Sequence, residues 1–256
     1  MITFYDIPST TSLNSWSPNG WKTRYTLNFK GLPYKTEWVE YPDIAALYQK
    51  NNVPAPAKQS DGSPYYSLPL IHDSKTNTFV ADSLEIAKYL DKTYPDTPKV
   101  LPDGEEGLAK TTQFLGELGG TMFPLFPIIF PATVPILNEV SKGHFKVARA
   151  KNLVSVFNNI KSIDEIQLSE KEVEERWEQV RAGFQGLDSK FGGEGKEFAW
   201  FAGDKITFAD LALGGMLLWI KLVWGEESAE WKRVSGWNNG KWATMLKKLE
   251  AYHTVA

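Results

Sequence analysis

The chain has 256 residues, a formal net charge of −3, 42 % apolar and 23 % charged residues, and no cysteine. The length suits one large domain or two modest ones, and the charge excludes the broad basic surface of a nucleic-acid-binding protein. Without cysteine there is no disulfide, no thiolate metal site and no cysteine nucleophile.

The first residues, MITFYDIPSTTS, have neither a basic region nor a long apolar run, so no signal peptide is expected. Ile2 to Asp6 alternates as a short strand. Residues 18–30 carry Trp21, Tyr25, Leu27 and Phe29 at helical spacing, and Gly31 sits where a helix stops. Between them, Ser17 and Pro18 occupy the preferred N-cap and first helical positions. Residues 36–41 predict a second strand and residues 44–49 a weak helix. A loop rich in Pro, Ser and Gly follows at 53–64. Residues 68–72 and 79–81 read as two strands of a hairpin around the turn residues 73–78. Ser83 is the expected cap of a helix over 84–94. The order is β-α-β-α-β-β-α: a parallel βαβ unit, then a hairpin and a helix.

Pro95, Pro98 and Pro102 mark a linker over 95–102, which divides the chain into domains 1–94 and 103–256. Beyond it helical periodicity dominates, at 105–123, 145–160, 169–191, 208–224 and 241–252. Prolines 124, 127, 131 and 135 break or kink one helix of this series. Residues 211–223 form the most apolar run. They are too short for a membrane span, which needs ~20 residues, and they include Lys221, so a buried core helix is expected. Aromatic residues reach 13 % with ten Trp, which suits a core and also a pocket for flat ligands.

Four motifs in order carry a resemblance. "SPNGWKTRY" resembles the opening of the first helix of the glutathione transferases, "SLPL" their loop into the third strand, and "ADSLEIAKYL" their Glu/Asp-Ser segment. "ITFADL" resembles the capping box of the central helix of their second domain. The long loop Pro8 to Trp16 before Ser17-Pro18, with Trp21, Lys22 and Thr23, resembles the serine-type fungal class called FuA, which is related to bacterial β-etherases. The resemblance implies a thioredoxin-like N-terminal domain (α/β) and an all-helical C-terminal domain.

It also implies roles. Ser17 would donate a hydrogen bond to the glutathione sulfur and favour the thiolate at a helix N-terminus. Ser12 and Ser15 lie nearby as alternatives. Pro69 would be cis, with the Leu68 backbone pairing with the cysteinyl unit. Asp82 would hold the α-ammonium and Ser83 the γ-glutamyl carboxylate, with Lys58 or Gln59 at the glycyl carboxylate. An aromatic acceptor would meet Trp16, Met122, Phe123, Phe126 and Phe130. Thr207 and Asp210 read as a structural capping box.

The implied function is a glutathione transferase that activates the thiol through serine. Its target is a hydrophobic or aromatic electrophile, a peroxide or a β-aryl ether. Exchange through a protein thiol is excluded by the absence of cysteine. Two other readings use the same fold: a ligandin-type binding protein for aromatic or polyphenolic compounds, and a catalytically silent regulatory module. A homodimer, a cytoplasmic location, no metal, no nucleic acid and no membrane complete the expectation.

Overall fold

The computed structural model describes every residue except Ser60, Asp103 and residues 194–197. The expected loop at 53–64 and the domain boundary at 103 each include one residue outside this set. The N-terminal part runs β1 (Ile2–Asp6), α1 (Pro18–Phe29), β2 (Tyr34–Trp38), α2 (Ile44–Lys50), β3 (Ala57–Lys58), β4 (Pro64–Tyr65), β5 (Leu70–Asp73), β6 (Thr78–Ala81) and α3 (Ser83–Thr93). Four of the strands form one sheet in the order β2-β1-β5-β6. The β1–β2 pair is parallel and the other two pairs are antiparallel. This is the thioredoxin-like arrangement that the resemblance implied, with the parallel βαβ unit and hairpin read from the order of elements. One face of the sheet closes over Ile2, Phe4, Ile71, Leu27, Ile86 and Leu90.

β2 and the two strands β3 and β4 depart from expectation. β2 begins at Tyr34 and ends at Trp38, because its partner β1 pairs from Ile2↔Tyr34 to Asp6↔Trp38 and then stops. The loop at 53–64 contains the small β3–β4 hairpin. Two-residue strands are too short for alternation to reveal them.

The second part is helical: α4 (Gly104–Met122), α5 (Phe126–Thr133), α6 (Glu139–Lys151), α7 (Glu170–Asp188), α8 (Phe208–Trp224) and α9 (Ala229–Leu249). The proline segment does not simply break a helix. Pro124, Pro127 and Pro135 stand in first-turn positions, where a missing N–H costs nothing, so two 3-10 turns and α5 form around them. The helix expected at 145–160 is displaced to 139–151; turns follow it, with Asn159 at φ 62°. The last helix starts early, at Ala229, with the Ser228 hydroxyl accepting from Trp231 N–H at 3.0 Å. It kinks where Asn238, Asn239 and Gly240 take positive φ, and it resumes at Lys241. Thr207 and Asp210 form the expected capping box.

By length and composition alone, the stretch Gly104–Ile136 could cross a membrane, with mean hydropathy 1.4. It is instead α4, α5 and two 3-10 turns, bent at prolines and packed on α7 and α8.

α8 is the central post. Its N-terminal half is buried all round, and it packs against α1 of the first domain. Gly215 permits that approach: a Cβ there would stand 2.7 Å from the Pro18 carbonyl oxygen. The linker is also anchored. Asp91 accepts from Lys30 Nζ at 2.6 Å and from the N–H groups of Val100 and Leu101, and Phe208 N–H donates to Val100 C=O at 2.7 Å. The C-terminal residues return to α1 and β2. There Asn28 Nδ2 donates to the carbonyls of Tyr252 and Thr254, and Thr36 N–H to Ala256.

The long loop between β1 and α1 is held by a buried charge pair. Arg24 Nη2 meets Asp6 Oδ2 at 2.9 Å, and both side chains are at most 1 % exposed. The carboxylate also accepts from Ile7 N–H at 2.8 Å and from Ser15 Oγ at 2.7 Å. The guanidinium donates to Tyr34 and Thr36 and lies against the rings of Phe4, Trp21, Tyr34 and Trp38. Removing one partner strands the other charge in the interior. Arg24→Met should therefore cost ~3–5 kcal/mol of folding free energy in urea titrations. Arg24→Met combined with Asp6→Asn should recover much of that loss. A double variant no more stable than the single one refutes this account.

Candidate functional site

Three segments of the first domain meet at one cleft. The first is the start of α1. Ser17 is the N-cap, with extended backbone (φ −63°, ψ 126°) and a 7 % exposed side chain, yet its hydroxyl makes no capping hydrogen bond. The first helical bond is Trp21 N–H to Ser17 C=O at 2.9 Å. Pro18 has no N–H, so the amides of Asn19 and Gly20 lie ahead of that bond without a cap. A capping role for the Ser17 side chain is thus not what the geometry supplies.

The other two serines of the loop separate cleanly. Ser15 is fully buried, and its hydroxyl is committed to Asp6. Ser12 is exposed and lines a different crevice with Leu13, Ile136, Leu218 and His253. Of the three, Ser17 alone faces the cleft described below.

The second segment is the approach to β5. The Leu68–Pro69 bond is cis. Among the described residues, the Leu68 N–H and C=O take no hydrogen-bond partner. Backbone groups left open in this way suit an extended peptide laid alongside.

The third segment is the start of α3, where the assignment changes. Asp82, not Ser83, is the N-cap: its Oδ1 accepts from Leu84 N–H at 2.9 Å and Glu85 N–H at 3.2 Å. Ser83 is the first helical residue and is buried. A carboxylate at this position meets the positive end of the helix dipole, which is why it displaces the hydroxyl. Asp82 holds φ 73° and ψ 132°, a conformation that costs a non-glycine residue about 1–3 kcal/mol. Strain of this size persists where the surroundings enforce it, as they do around functional sites.

Ser17, Lys22, Leu68, Pro69, Asp82 and Ser83 line one cavity of about 310 Å³. The helical domain closes it with His144, Ala148 and Arg149 of α6. A second chamber of about 720 Å³ adjoins it, sharing Tyr41, Ile44, Tyr65, Tyr66, His144 and Ala148 with the first. Lys58 and Gln59 border this outer chamber, not the inner one, and Gln59 Oε1 accepts from Lys151 Nζ at 2.9 Å.

The aromatic wall expected from residues 16 and 122–130 is elsewhere. Trp16 and Phe130 are 2 % and 6 % exposed, and Met122 is fully buried. Phe126 stacks on Phe130 at 4.7 Å, and both lean on Trp219 of α8. Phe123 stays exposed. None of the five lines either chamber. Helical spacing marks a buried face without saying whether a ligand or another helix covers it.

Tyr41, Tyr65, Tyr66, His144 and Arg149 line the inner chamber instead, and no motif pointed to them. Lys22 was legible, since it stands in the α1 motif. Its Nζ donates to Asn19 Oδ1 at 2.9 Å. Burial pushes its pKa down to about 8, against the opposing pull of Asp82.

With the cleft assembled, its relatives are informative. Residues 112–252 match the family described as "Glutathione S-transferase, C-terminal domain", and residues 16–93 match its N-terminal domain. The chain belongs to the glutathione transferase family. Among curated relatives, a glutathione S-transferase-like protein (ustS) of Aspergillus flavus is 31 % identical, over 96 % of this chain and 90 % of that protein. A glutathione S-transferase of Ceriporiopsis subvermispora, solved in complex with glutathione, is 42 % identical with TM-score 0.90, covering 100 % of this chain and 98 % of that one. Glutathione transferase GSTFuA3 of Phanerochaete chrysosporium is 39 % identical with TM-score 0.88, at the same coverage. The chain is thus similar along its whole length to fungal glutathione transferase structures.

The lowered Lys22 pKa has a consequence for stability. The unfolded lysine titrates near ~10.4, so between about pH 8 and that value the unfolded chain binds more protons. Burying the charged amine opposes folding in full below pH 8, and the penalty is relieved as pH rises. Without ligand, Lys22→Met should melt higher than the wild type at pH 7, and the gap should close by about pH 10.4. A gap that widens with pH in differential scanning refutes this assignment.

Proposed function

We propose that this chain is a serine-type glutathione transferase, in which the Ser17 hydroxyl donates a hydrogen bond to the thiolate of bound glutathione. The observation that carries the reading is the Ser17 side chain itself: buried, at a helix N-cap, without a capping bond, and facing the same cavity as Leu68, Asp82 and Ser83. A hydroxyl with no structural partner there is available to a ligand.

The tripeptide lies across the inner chamber. Its cysteinyl unit pairs with the open Leu68 backbone groups. Its γ-glutamyl end meets the start of α3, with the free Asp82 oxygen on the ammonium and the Ser83 hydroxyl and Ser83 N–H on the carboxylate. The glycyl carboxylate points toward Lys58 and Gln59 at the chamber boundary. The sulfur sits at the start of α1, where Ser17, the amides of Asn19 and Gly20 and the Lys22 ammonium all favour negative charge. Ser17 is not a nucleophile, and His144, the one histidine lining either chamber, has no hydrogen bond to it among the described residues. The thiol proton leaves to solvent. The sulfur then attacks an electrophilic carbon of a hydrophobic or aromatic acceptor, forming the S–C bond as the leaving group departs with its electron pair. Peroxide reduction and β-aryl-ether cleavage begin from the same thiolate.

Binding of aromatic compounds without turnover is the second reading. The larger chamber, with Tyr41, Tyr65 and Tyr66 on its wall, favours it. A homodimer follows from the family resemblance, and light scattering at micromolar concentration should return twice the monomer mass. A monomer there removes that inference.

Ser17→Gly tests the mechanism. The side chain makes no capping bond, so the substitution should leave the melting temperature almost unchanged. It should raise the pKa of bound glutathione toward its solution value. One charge-assisted hydrogen bond is worth ~1.5–3 kcal/mol, so turnover of 1-chloro-2,4-dinitrobenzene near pH 7 should fall about ten- to a hundredfold. The ultraviolet thiolate band of bound glutathione, followed against pH, decides the matter. If the variant titrates like the wild type, Ser17 is not the donor. Ser15→Ala should do the reverse, destabilising the fold through Asp6 while leaving the thiolate pKa in place.

A further inference from the structure

The outer chamber has a chemistry that thiolate activation does not use. Tyr41, Tyr65 and Tyr66 wall it, and His144 stacks on Tyr41 at 5.6 Å with 19° between the rings. Lys58 and Lys151 border it, Arg149 stands at its junction with the inner chamber, and no Asp or Glu lines it. The one carboxylate on the inner chamber is Asp82, which already caps α3.

Of the five arginines, Arg149 and Arg176 face no carboxylate at ion-pair distance among the described residues, and of these two Arg149 lines a chamber. Arg24, Arg181 and Arg233 each face a carboxylate at 2.9, 3.6 and 2.9 Å. Arg149, half-buried, donates instead to the Tyr41 hydroxyl at 3.1 Å and to Asn152 Oδ1 at 2.9 Å. Its guanidinium lies 5.2 Å from the Phe145 ring, 5.6 Å from Phe130 and 5.9 Å from Tyr41. Among the described residues no carboxylate neutralises it. Partial burial lowers the pKa of His144, and the charges of Arg149 and Lys151 lower it further, which marks the same corner as electropositive. The nearby Asp61 is fully exposed and already accepts from Ser63 N–H and Oγ. Arg149 lines the inner chamber at its junction with the outer one, held by hydroxyl and amide oxygens and not by a carboxylate, and a guanidinium so placed is where an anion can be held.

We propose that the acceptor taken by this site is a flat aromatic anion, an aryl carboxylate or phenolate. Its ring lies against Tyr41, Tyr65 and His144, its charge is held by Arg149, and Lys151 reinforces the field. The proposal rests on reading the inner chamber as the glutathione site, and it names the acceptor class. The guanidinium fork matches a carboxylate in two parallel hydrogen bonds. It also offsets the repulsion that an anionic acceptor meets as it nears a thiolate.

The test is equilibrium binding by titration calorimetry at pH 7, to protein saturated with S-methylglutathione. The probes are 2-naphthoate and its neutral isostere 2-naphthamide. The acid should bind about tenfold tighter than the amide, the worth of one charge-assisted contact. Arg149→Gln should erase the preference, and Arg149→Lys should keep part of it. The exposed Lys151→Gln, which leaves the packing intact, should reduce it and lessen its salt dependence. If Arg149→Gln fails to fold, Arg149→Lys and Lys151→Gln decide, and an acid-to-amide ratio unchanged in both overturns the proposal. Equal binding of acid and amide to the wild type also overturns it. So does mutual exclusion of 2-naphthoate and S-methylglutathione, since Arg149 would then be holding the tripeptide's own carboxylate. Failure of S-methylglutathione to bind at all refutes the inner-chamber reading instead, and is read separately in the first titration.

Discussion

The Asp6–Arg24 pair is the constraint on which the site depends. A carboxylate and a guanidinium in a fully buried place need partners, and here the elements that frame the cleft supply them to Asp6 and to both terminal nitrogens of Arg24. Asp6 ends β1, takes the amide of Ile7 and the hydroxyl of Ser15, and so fixes both ends of the long loop before α1. Arg24 reaches back from the middle of α1 and out to β2 through Tyr34 and Thr36. The pair holds the strand, the loop and the helix in register, and Ser17 follows Ser15 by two residues. Its place at the cleft is inherited from that network. Gly20 belongs to it as well, because a Cβ there would stand 2.3 Å from Asp6 Oδ1. The interaction is specific more than stabilising, since desolvation consumes much of what a buried ion pair returns.

Two helix N-termini face the cleft, and they are finished in opposite ways. α3 is capped by Asp82, whose carboxylate is held at a strained backbone angle. α1 begins with Ser17, whose hydroxyl is left out of the helix. One end has committed the amides of Leu84 and Glu85 to its own carboxylate and keeps an oxygen for a cation. The other keeps its amides and a hydroxyl for an anion. That polarity suits a zwitterionic tripeptide with a thiolate between its ends.

The cleft lies on the seam between the domains, and small residues set how tightly the seam closes. Gly214 and Gly215 of α8 admit Leu249 and the Pro18 backbone at distances a side chain would forbid. The return of the C-terminal residues onto α1 and the anchoring of the linker through Asp91 hold the same seam. Arg149 and His144 reach the site only because this closure brings α6 over it.

Much of this protein was legible in its residues alone. The period-2 and period-3.6 patterns gave the order of strands and helices, since amphipathic spacing is a local property. The motifs around Ser17, Leu68-Pro69 and Asp82-Ser83 could be read because helix starts and a cis proline need particular residues at particular places. What was not legible depends on pairing across distance. Asp82 rather than Ser83 caps α3, because a carboxylate outcompetes a hydroxyl only once the backbone angle at that residue is set. Phe126 and Phe130 pack on Trp219 and Phe123 stays exposed, while Tyr41, Tyr65, Tyr66 and Arg149 turn to the cleft. Their spacing cannot show this, because an apolar face looks the same to the sequence whether a ligand or a neighbouring helix covers it. Local patterns carried the fold and marked Ser17, Leu68, Pro69, Asp82 and Ser83, which the fold brings to one cavity; only the packing of α6 and α8 against the first domain decided what walls the rest of the cleft.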